Sequence, residues 1–357
     1  MHILGIETSC DETSVSIVKD GFKVLSNVVS SQIAKHAVYG GVVPELAARE
    51  HLDAIIPVTT QALKDSNLNI HDINALAVTN GPGLMPALLV GLSFARGICS
   101  KHKLPLVGVN HFIAHIYAAF LNDAHKLLSS PESYPIMALV VSGGHTALVL
   151  IDKDQTARII GTTIDDASGE ALDKGAKILN LGYPGGPIID KLSKEGDPNA
   201  FHFPRSLTGG AGKPLTEENL FNFSFSGLKT ALLHHVDKYK FENIKEQLLL
   251  DTVASYQYAV VDVLCIKTIK ATKAFKCKSI VLCGGVAQNS LLRKELQERT
   301  PNGVNFILTP REFCGDNAAM IAGLGFHYLD QKENDIEIDA FSRLPEITKV
   351  PFVPKIL

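Results

Sequence analysis

The sequence predicts an α/β protein built twice on one plan: two lobes with a cleft between them. Three observations predict it. Strand-like runs alternate with helix-like runs along the chain. Two separate stretches, starting near residues 3 and 136, each open with three strands whose first turn is short, small and polar. A polar linker, 123–135, with Ser129-Ser130-Pro131 and Pro135, lies between them. At 357 residues, 46% hydrophobic and 20% charged, the chain has material for two medium cores.

In the first stretch, Ile3–Glu7 and Ser14–Val18 flank the turn Thr8-Ser9-Cys10-Asp11-Glu12-Thr13, and Phe22–Val29 follows as a third strand. Pro44 opens a helix to about Ser66, with Leu46, Ala47, Ile55, Ile56 and Leu63 on its apolar stripe and Pro57 as a point of kinking or splitting. Ala75–Thr79 reads as a buried strand. Gly81-Pro82-Gly83 then turns the chain into a helix from Met85 to Ser100. Leu104–Val109 is a strand that delivers Asn110 and His111 at its end.

In the second stretch, Ile136–Val141 and Thr146–Ile151 surround the turn Ser142-Gly143-Gly144-His145, with Arg158–Thr163 as third strand. Helices follow at Ser168–Asn180, Gly186–Lys194, Phe225–Asp237 and Ile244–Lys273, with a Gly-, Pro- and Asn-rich loop over 196–224. Ser279–Cys283 is a buried strand, Gly284-Gly285 a turn, and Val286–Arg299 a helix. The last helix runs over about Asp316–Asp330.

A net charge of −3 gives no global basic bias, so a polyanionic partner would need a local patch or help from other chains. Six scattered cysteines without a C-x-x-C pair argue against a zinc ribbon and a dense disulfide framework, and read as free thiols. The chain enters a strand at once, so no signal peptide is expected, and no apolar run is expected to be long enough to span a bilayer.

His111 and His115 are four residues apart, so on a helix they share one face and can ligate one metal ion. A zincin protease would carry its general-base glutamate directly after the first histidine, where this chain has Phe112. Cys314-Gly315-Asp316-Asn317 offers a carboxylate as third ligand. Alternatively Asp316 or Asn317 caps the last helix, and both roles are compatible. The turns at Ser142–Thr146 and Thr8–Cys10 suit an oxyanion approaching backbone amides, or are ordinary hairpin turns. Gly284–Asn289 suits a nucleotide at a helix start, with Asn289 on a ribose or base edge, or is a tight strand-helix turn. From spacing, Glu170–Lys174 and Asp173–Lys177 are surface ion pairs. Asp190 is placed to meet a ribose. Lys267, Lys270, Lys273, Lys276, Lys278, Arg293 and Lys294, with no acid between Asp262 and Glu295, form a phosphate-facing stripe or a solvated face.

In order, the chain carries Gly5-Ile6-Glu7-Thr8-Ser9-Cys10-Asp11-Glu12-Thr13, the histidine pair, Val141-Ser142-Gly143-Gly144-His145-Thr146, Gly169-Glu170-Ala171-Leu172-Asp173-Lys174, Phe223-Ser224-Phe225-Ser226-Gly227-Leu228-Lys229-Thr230 and Gly284-Gly285-Val286-Ala287-Gln288-Asn289. Over about residues 3 to 330 this resembles the TsaD family of tRNA threonylcarbamoyladenosine transferases, once labelled glycoproteases. Phe203-Pro204-Arg205 and the FSFSGLKT stretch resemble its bacterial and organellar branch.

The resemblance implies an actin/Hsp70/hexokinase-like (ASKHA) duplicated two-lobe fold. Residues 1–128 would form the first lobe, with helix 317–332 returning to it, and 134–316 the second; the tail 335–357 is unplaced. It implies transfer of threonylcarbamoyl from threonylcarbamoyl-AMP to N6 of adenosine 37 in tRNAs reading codons that start with adenine, releasing AMP. His111, His115 and Asp316 then resemble ligands of one divalent ion, iron or zinc. Ser9, Val140, Val141, Ser142, Gly143, Gly144, Asp173, Gly186, Asp190 and Asn289 resemble substrate and nucleotide contacts, which replaces the ion-pair reading of Asp173. Ser9, Asp11 and Glu12, on the cleft-facing turn, are expected to join metal water or proton handling, with Asp11 or Glu12 as the candidate proton acceptor.

Expected partners are tRNA and, for a bacterial protein, a paralogous TsaB-type subunit and a TsaE-type ATPase that brings ATP and Mg; an organellar protein would be a homodimer. No membrane is expected. The expected place is the cytoplasm, with a mitochondrial or plastid matrix as the alternative. Phe112-Ile113 departs from the Met-Glu often found there, and the loop Thr208–Asn219 is longer than usual. A metal-dependent peptidase and a small-molecule kinase of the same fold are the competing functions.

Overall fold

Every residue from Ile3 to Glu7 is buried, and this strand, β1 (His2–Glu7), organises the first half of the molecule. The computed structural model describes residues 1–209, 215–239, 246–329, 338–342 and 350–352. It divides into two compact units: Met1–Pro131 with Lys153–Ala157 and Thr309–Leu357, and Glu132–Asp152 with Arg158–Leu308. Residues 309–316, expected in the second lobe, thus group with the first unit.

In the first unit β1 pairs antiparallel with β2 (Glu12–Lys19), and β2 with β3 (Lys23–Ser31). The short α1 (Ile33–Ala37), which the sequence did not reveal, precedes α2 (Pro44–Asp65). Pro44 sits at the start of α2, where its missing N–H is harmless. Pro57 does not split this helix: Ile55, Val58 and Ala62 stay in the core on both sides of it. β4 (Ala75–Gly81), α3 (Met85–His102), β5 (Leu106–Asn110) and α4 (His111–Tyr117) follow, giving a sheet of order β3-β2-β1-β4-β5. Strand alternation assigns the faces. Leu4 and Ile6 pack with Ile55, Val58, Leu92 and Ala95 of α2 and α3, while Gly5 points the other way.

The second unit repeats the plan. β6 (Ile136–Val141) pairs antiparallel with β7 (Thr146–Ile151), and β8 (Thr156–Thr162) follows it in the sheet. Then come α5 (Ser168–Ile178), α6 (Gly185–Leu192), α7 (Ser226–Tyr239) and α8 (Glu246–Ala274). β9 (Ser279–Cys283) lies parallel to β6. The helix expected from Val286 begins later. Gly285–Gln288 form a 3-10 turn, Asn289 is the cap, and α9 runs over Ser290–Arg299. β10 (Asn305–Leu308) pairs parallel with β9 and supplies the strand that corresponds to β5, giving the order β10-β9-β6-β7-β8.

The chain then returns to the first unit as α10 (Ala318–Phe326), on the Gly5 side of β1. A Cβ on Gly5 would stand 2.4 Å from Ala318 O and 2.9 Å from Ala322 Cβ, so the strand must carry glycine for this helix to seat. β11 (Val350–Pro351) pairs antiparallel with Ala157 and Thr156.

Among the described residues, α8 alone is long and apolar enough by length and composition to cross a membrane, which corrects the expectation that no run would qualify. Asp262 and Lys267 interrupt it in sequence, and 72% of its apolar 18-residue window is buried inside the protein, as in a core helix. Lys267 is itself fully buried and donates to Asn219 O and Leu220 O at 2.8 and 3.1 Å. Arg293 turns inward to Ala287 O. The basic stripe therefore does not form as one face. Residues 244–245, 210–214 of the long loop, 330–332 of the returning helix, and 335–337, 343–349 and 353–357 of the tail lie outside the described residues.

Candidate functional site

Asn110 ends β5 and caps α4, its side chain accepting from Ile113 N at 3.1 Å. The strand thereby delivers His111 as the first helical residue and His115 one turn on, 7% and 2% exposed. Their ring centroids are 4.6 Å apart with planes at 81°. Asp316 reaches them from the turn before α10. Its Oδ1 lies 3.5 Å from His111 Nε2 and 3.2 Å from His115 Nε2. The capping of α10 falls to Asn317, which accepts from Met320 N, so Asp316 points to the imidazoles.

One donor atom from each of these three residues lies within 4.8 Å of the others. Ligands about 2.0–2.1 Å from a tetrahedral ion stand about 3.3 Å apart, close to the two Asp316 distances. Both ring nitrogens of His115 are buried without a hydrogen-bond partner. Such orphaned polar atoms are costly unless something satisfies them, and a cation does. The three residues thus form one site for a divalent metal.

Behind His111 stands Glu7, fully buried at the end of β1. Its carboxylate accepts from His111 Nδ1 at 2.9 Å, from Thr79 Oγ1 at 2.6 Å and from Ser9 N at 2.5 Å. Burial pushes Glu7 up, but the charge and hydrogen bond of His111 and the Thr79 hydroxyl outweigh it, so the carboxyl lies below its usual range. Burial pushes His111 down, yet Glu7 and Asp316 carry it up to about 9. Ser9 lies on the same side, its hydroxyl 3.2 Å from His111 Nδ1. Asp11 and Glu12 occupy the same β1–β2 turn. Burial, then the charges of Asp316 and Asp11, push the Glu12 carboxyl well above its ordinary range. The turn rests on buried His51, whose Nε2 lies 3.0 Å from Cys10 O and whose Nδ1 lies 2.7 Å from Thr13 Oγ1.

The remaining candidates gather in the second unit. Val140 and Val141 have side chains in the core, so only their backbone and the turn after them can serve a ligand. Ser142 closes that turn with His145, N to O at 2.8 Å. Nothing lies within 4 Å of a Cβ built on Gly143 or Gly144. Gly169 at the start of α5 packs on Ser142 O. One turn further along α5, Asp173 accepts from Gly185 N and Gly186 N at 2.7 and 3.3 Å. Those glycines begin α6, and Asp190 lies one turn beyond Gly186 on the same face. Asp190 Oδ1 accepts from Ser290 N and Ser290 Oγ, the first residue of α9. Asn289 is occupied as the cap of α9, accepting from Leu292 N at 3.0 Å and donating to Gln257 at 3.1 Å. The structure therefore lines up Ser142–Gly144, Asp173, Gly186, Asp190 and Asn289 in one unit, and Ser9, Asp11, Glu12 and the metal ligands in the other. Glu170 pairs with Lys174 as spacing predicts, while Asp173 turns to the glycine amides.

Glu7, Thr79 and Gln257 escaped the sequence reading. Glu7 had one signal: an acid closing an otherwise apolar strand just before a polar turn. Gln257 had none, being one polar residue among many on a long helix.

The TsaD family model, described as tRNA N6-adenosine threonylcarbamoyltransferase, matches residues 23–323. The chain is 49% identical over 347 residues to the tRNA N6-adenosine threonylcarbamoyltransferase of Syntrophus aciditrophicus, covering 97% of this chain and 98% of the relative. It is 50% identical over 327 residues to that of Thermosipho africanus, covering 91% and 94%. Component A of the (R)-2-hydroxyglutaryl-CoA dehydratase of Acidaminococcus fermentans superposes with a TM-score of 0.52 at 16% identity, covering 93% of this chain and 100% of that one. That likeness concerns fold alone, and with the repeated 3-2-1-4-5 strand plan it gives the duplicated two-lobe actin/Hsp70/hexokinase-like fold.

Proposed function

The chain belongs to the TsaD family of tRNA N6-adenosine threonylcarbamoyltransferases and is an acyltransferase of t6A biosynthesis; from that premise we propose that its donor is threonylcarbamoyl-AMP and its acceptor N6 of adenosine 37 in tRNAs reading codons that start with adenine. AMP leaves. In this reading the turn at Gly143 and Gly144, with free space where a Cβ would stand, takes the donor's phosphate on its amides, with Val140, Val141 and Ser142 setting the turn. Asp173 fixes Gly185 and Gly186 at the start of α6. Asp190 and Asn289 stand where α6 meets α9, in place to meet the ribose.

His111, His115 and Asp316 would hold the ion, with iron as the first candidate and zinc the second. When bound, a divalent ion supplies Lewis-acid stabilisation of charge developing on the donor, worth several kcal/mol of barrier. The exocyclic amine must shed a proton as it attacks, and Asp11 and Glu12 on the β1–β2 turn are the candidates to handle it. The observation that carries the metal reading is His115, buried with neither nitrogen in a hydrogen bond, beside two other donor groups.

The relatives named above are bacterial, which favours a cytoplasmic protein working with a TsaB-type subunit and a TsaE-type ATPase that handles ATP and Mg. A homodimer in an organelle matrix is the alternative. With a net charge of −3, sharing tRNA recruitment among subunits is physically reasonable.

Nucleoside mass spectrometry tests the proposal. Unmodified tRNA is incubated with purified threonylcarbamoyl-AMP, the partner subunits and this protein. Modified adenosine with the wild type but not with His111→Ala supports it. Equal product from both would remove the metal from the mechanism, and no product from the metal-loaded wild type would remove the donor assignment.

A further inference from the structure

We propose that Glu7 is the positioning residue of the metal centre, holding the His111 ring so that its Nε2 lone pair faces Asp316 and His115. The inference rests on the reading of His111, His115 and Asp316 as ligands.

Three donors converge on the Glu7 carboxylate: His111 Nδ1, Ser9 N and Thr79 Oγ1. Two of them, Nδ1 and the Thr79 hydroxyl, share Oε2. A carboxylate only accepts, so Nδ1 carries a proton toward Glu7 and Nε2 is the nitrogen left to face an ion. That nitrogen is the one 3.5 Å from Asp316 Oδ1. Thr79 comes from β4, the parallel neighbour of β1, and clamps the oxygen that the histidine uses. His115 has no such anchor: neither nitrogen makes a hydrogen bond, and Asp316, itself a ligand, is the group that approaches its Nε2. The centre thus has one ring fixed in orientation by a buried acid behind it, and one without that support.

The fold alone does not call for an acid here. A fully buried carboxylate at a strand end is expensive unless its acceptors are used, and a neutral residue would close β1 at less cost. A carboxylate behind a ligating imidazole also raises its basicity, and losing such a partner typically weakens metal binding 10- to 100-fold.

Zn(II) titrated into the metal-stripped full-length protein against a chromophoric chelator gives the test, with Glu7→Gln and Thr79→Val alongside. The wild type is expected to bind one Zn(II) per chain. Glu7→Gln keeps the shape but sets an amide NH2 against one of the three donors; its affinity should fall roughly 10- to 100-fold. The melting of the stripped form should move far less than that loss implies. Thr79→Val should weaken binding roughly 3- to 10-fold, as loss of one supporting hydrogen bond would. Wild-type affinity in Glu7→Gln would overturn the proposal; if that variant does not fold, wild-type affinity in Thr79→Val would. A wild type that binds no Zn(II) would refute the ligand assignment itself, and the proposal with it.

Discussion

Asp190 Oδ1 accepts both the backbone N–H and the hydroxyl of Ser290, at 3.0 and 2.9 Å, across 100 residues of sequence. The pair fastens the start of α9 to the end of α6. Asp190→Ala should therefore cost about 1–3 kcal/mol of stability, measured by urea unfolding. Asp190→Asn keeps an oxygen for Ser290 and should lose much less. If the carboxylate also meets the donor's ribose, Asp190→Asn should still raise the KM for threonylcarbamoyl-AMP, by roughly 10-fold. An unchanged KM would restrict Asp190 to a structural part.

The glycines of the β6–β7 turn separate folding from binding. Gly144→Ala places its methyl in open space, so thermal stability should stay within about 0.5 kcal/mol of wild type, as for other surface changes. The methyl should nonetheless obstruct a phosphate at the amides and raise the donor KM. Gly169→Ala puts a Cβ 2.6 Å from Ser142 O and should reduce stability by about 1–3 kcal/mol, as overpacking does. Equal effects on KM and stability in both variants would contradict a binding role for the turn.

His115→Leu should trade one property against another. It removes two buried nitrogens that make no hydrogen bond and loses the 3.2 Å approach of Asp316, so the metal-stripped variant should stay within about 1 kcal/mol of wild type. It should bind no stoichiometric metal, and tRNA modification should fall at least about 100-fold. Calorimetry on stripped protein and metal analysis on reconstituted protein read the two halves separately.

His327 gives the acid side of the stability curve. Burial holds this imidazole down to about 4, against an ordinary value of 6.5. Its Nε2 lies 2.8 Å from Tyr117 Oη, which donates to Gly21 O. The unfolded chain takes up the proton first as pH falls, so stability is fully present above about 6.5 and is lost down to about 4. Between pH 7.5 and pH 5 this amounts to about 2 kcal/mol. Urea midpoints at the two pH values should converge for His327→Gln relative to wild type; parallel losses would place the acid sensitivity elsewhere.

Much of this was legible before any coordinates. Ser279–Cys283 is legible to the residue, because a serine and four apolar residues between a lysine and two glycines leave little choice. The His111–His115 pair declared itself by spacing, and helix α4 does put both rings together. β10 was missed because four residues after a turn are too few for alternation to register. Its partner strand in the other unit, β5, was found because it runs into a recognisable histidine motif. The start of α9 was placed four residues early, since nothing local distinguishes a 3-10 turn from a first helical turn. Ser9 and Glu7 show the deeper limit. Whether a turn hydroxyl serves a nucleotide or a histidine depends on which strand ends beside it, and that is settled by the β1–β4–β5 pairing, not by neighbours in sequence.

Gly5 touches none of the three ligands, yet it sets how far α10 stands from the sheet. That helix is also tied by its first amide, Ala318 N, to Ser14 Oγ on β2 at 2.9 Å, and Asp316 hangs two residues before it. The carboxylate is thus carried on a lever whose fulcrum is a missing methyl group. A single extra carbon on β1 would lift the lever and misalign a cation's oxygen ligand without altering one atom of the coordination sphere. Genetic variation that silences this centre is accordingly to be sought in the small residues of the strands beneath it as much as among the histidines.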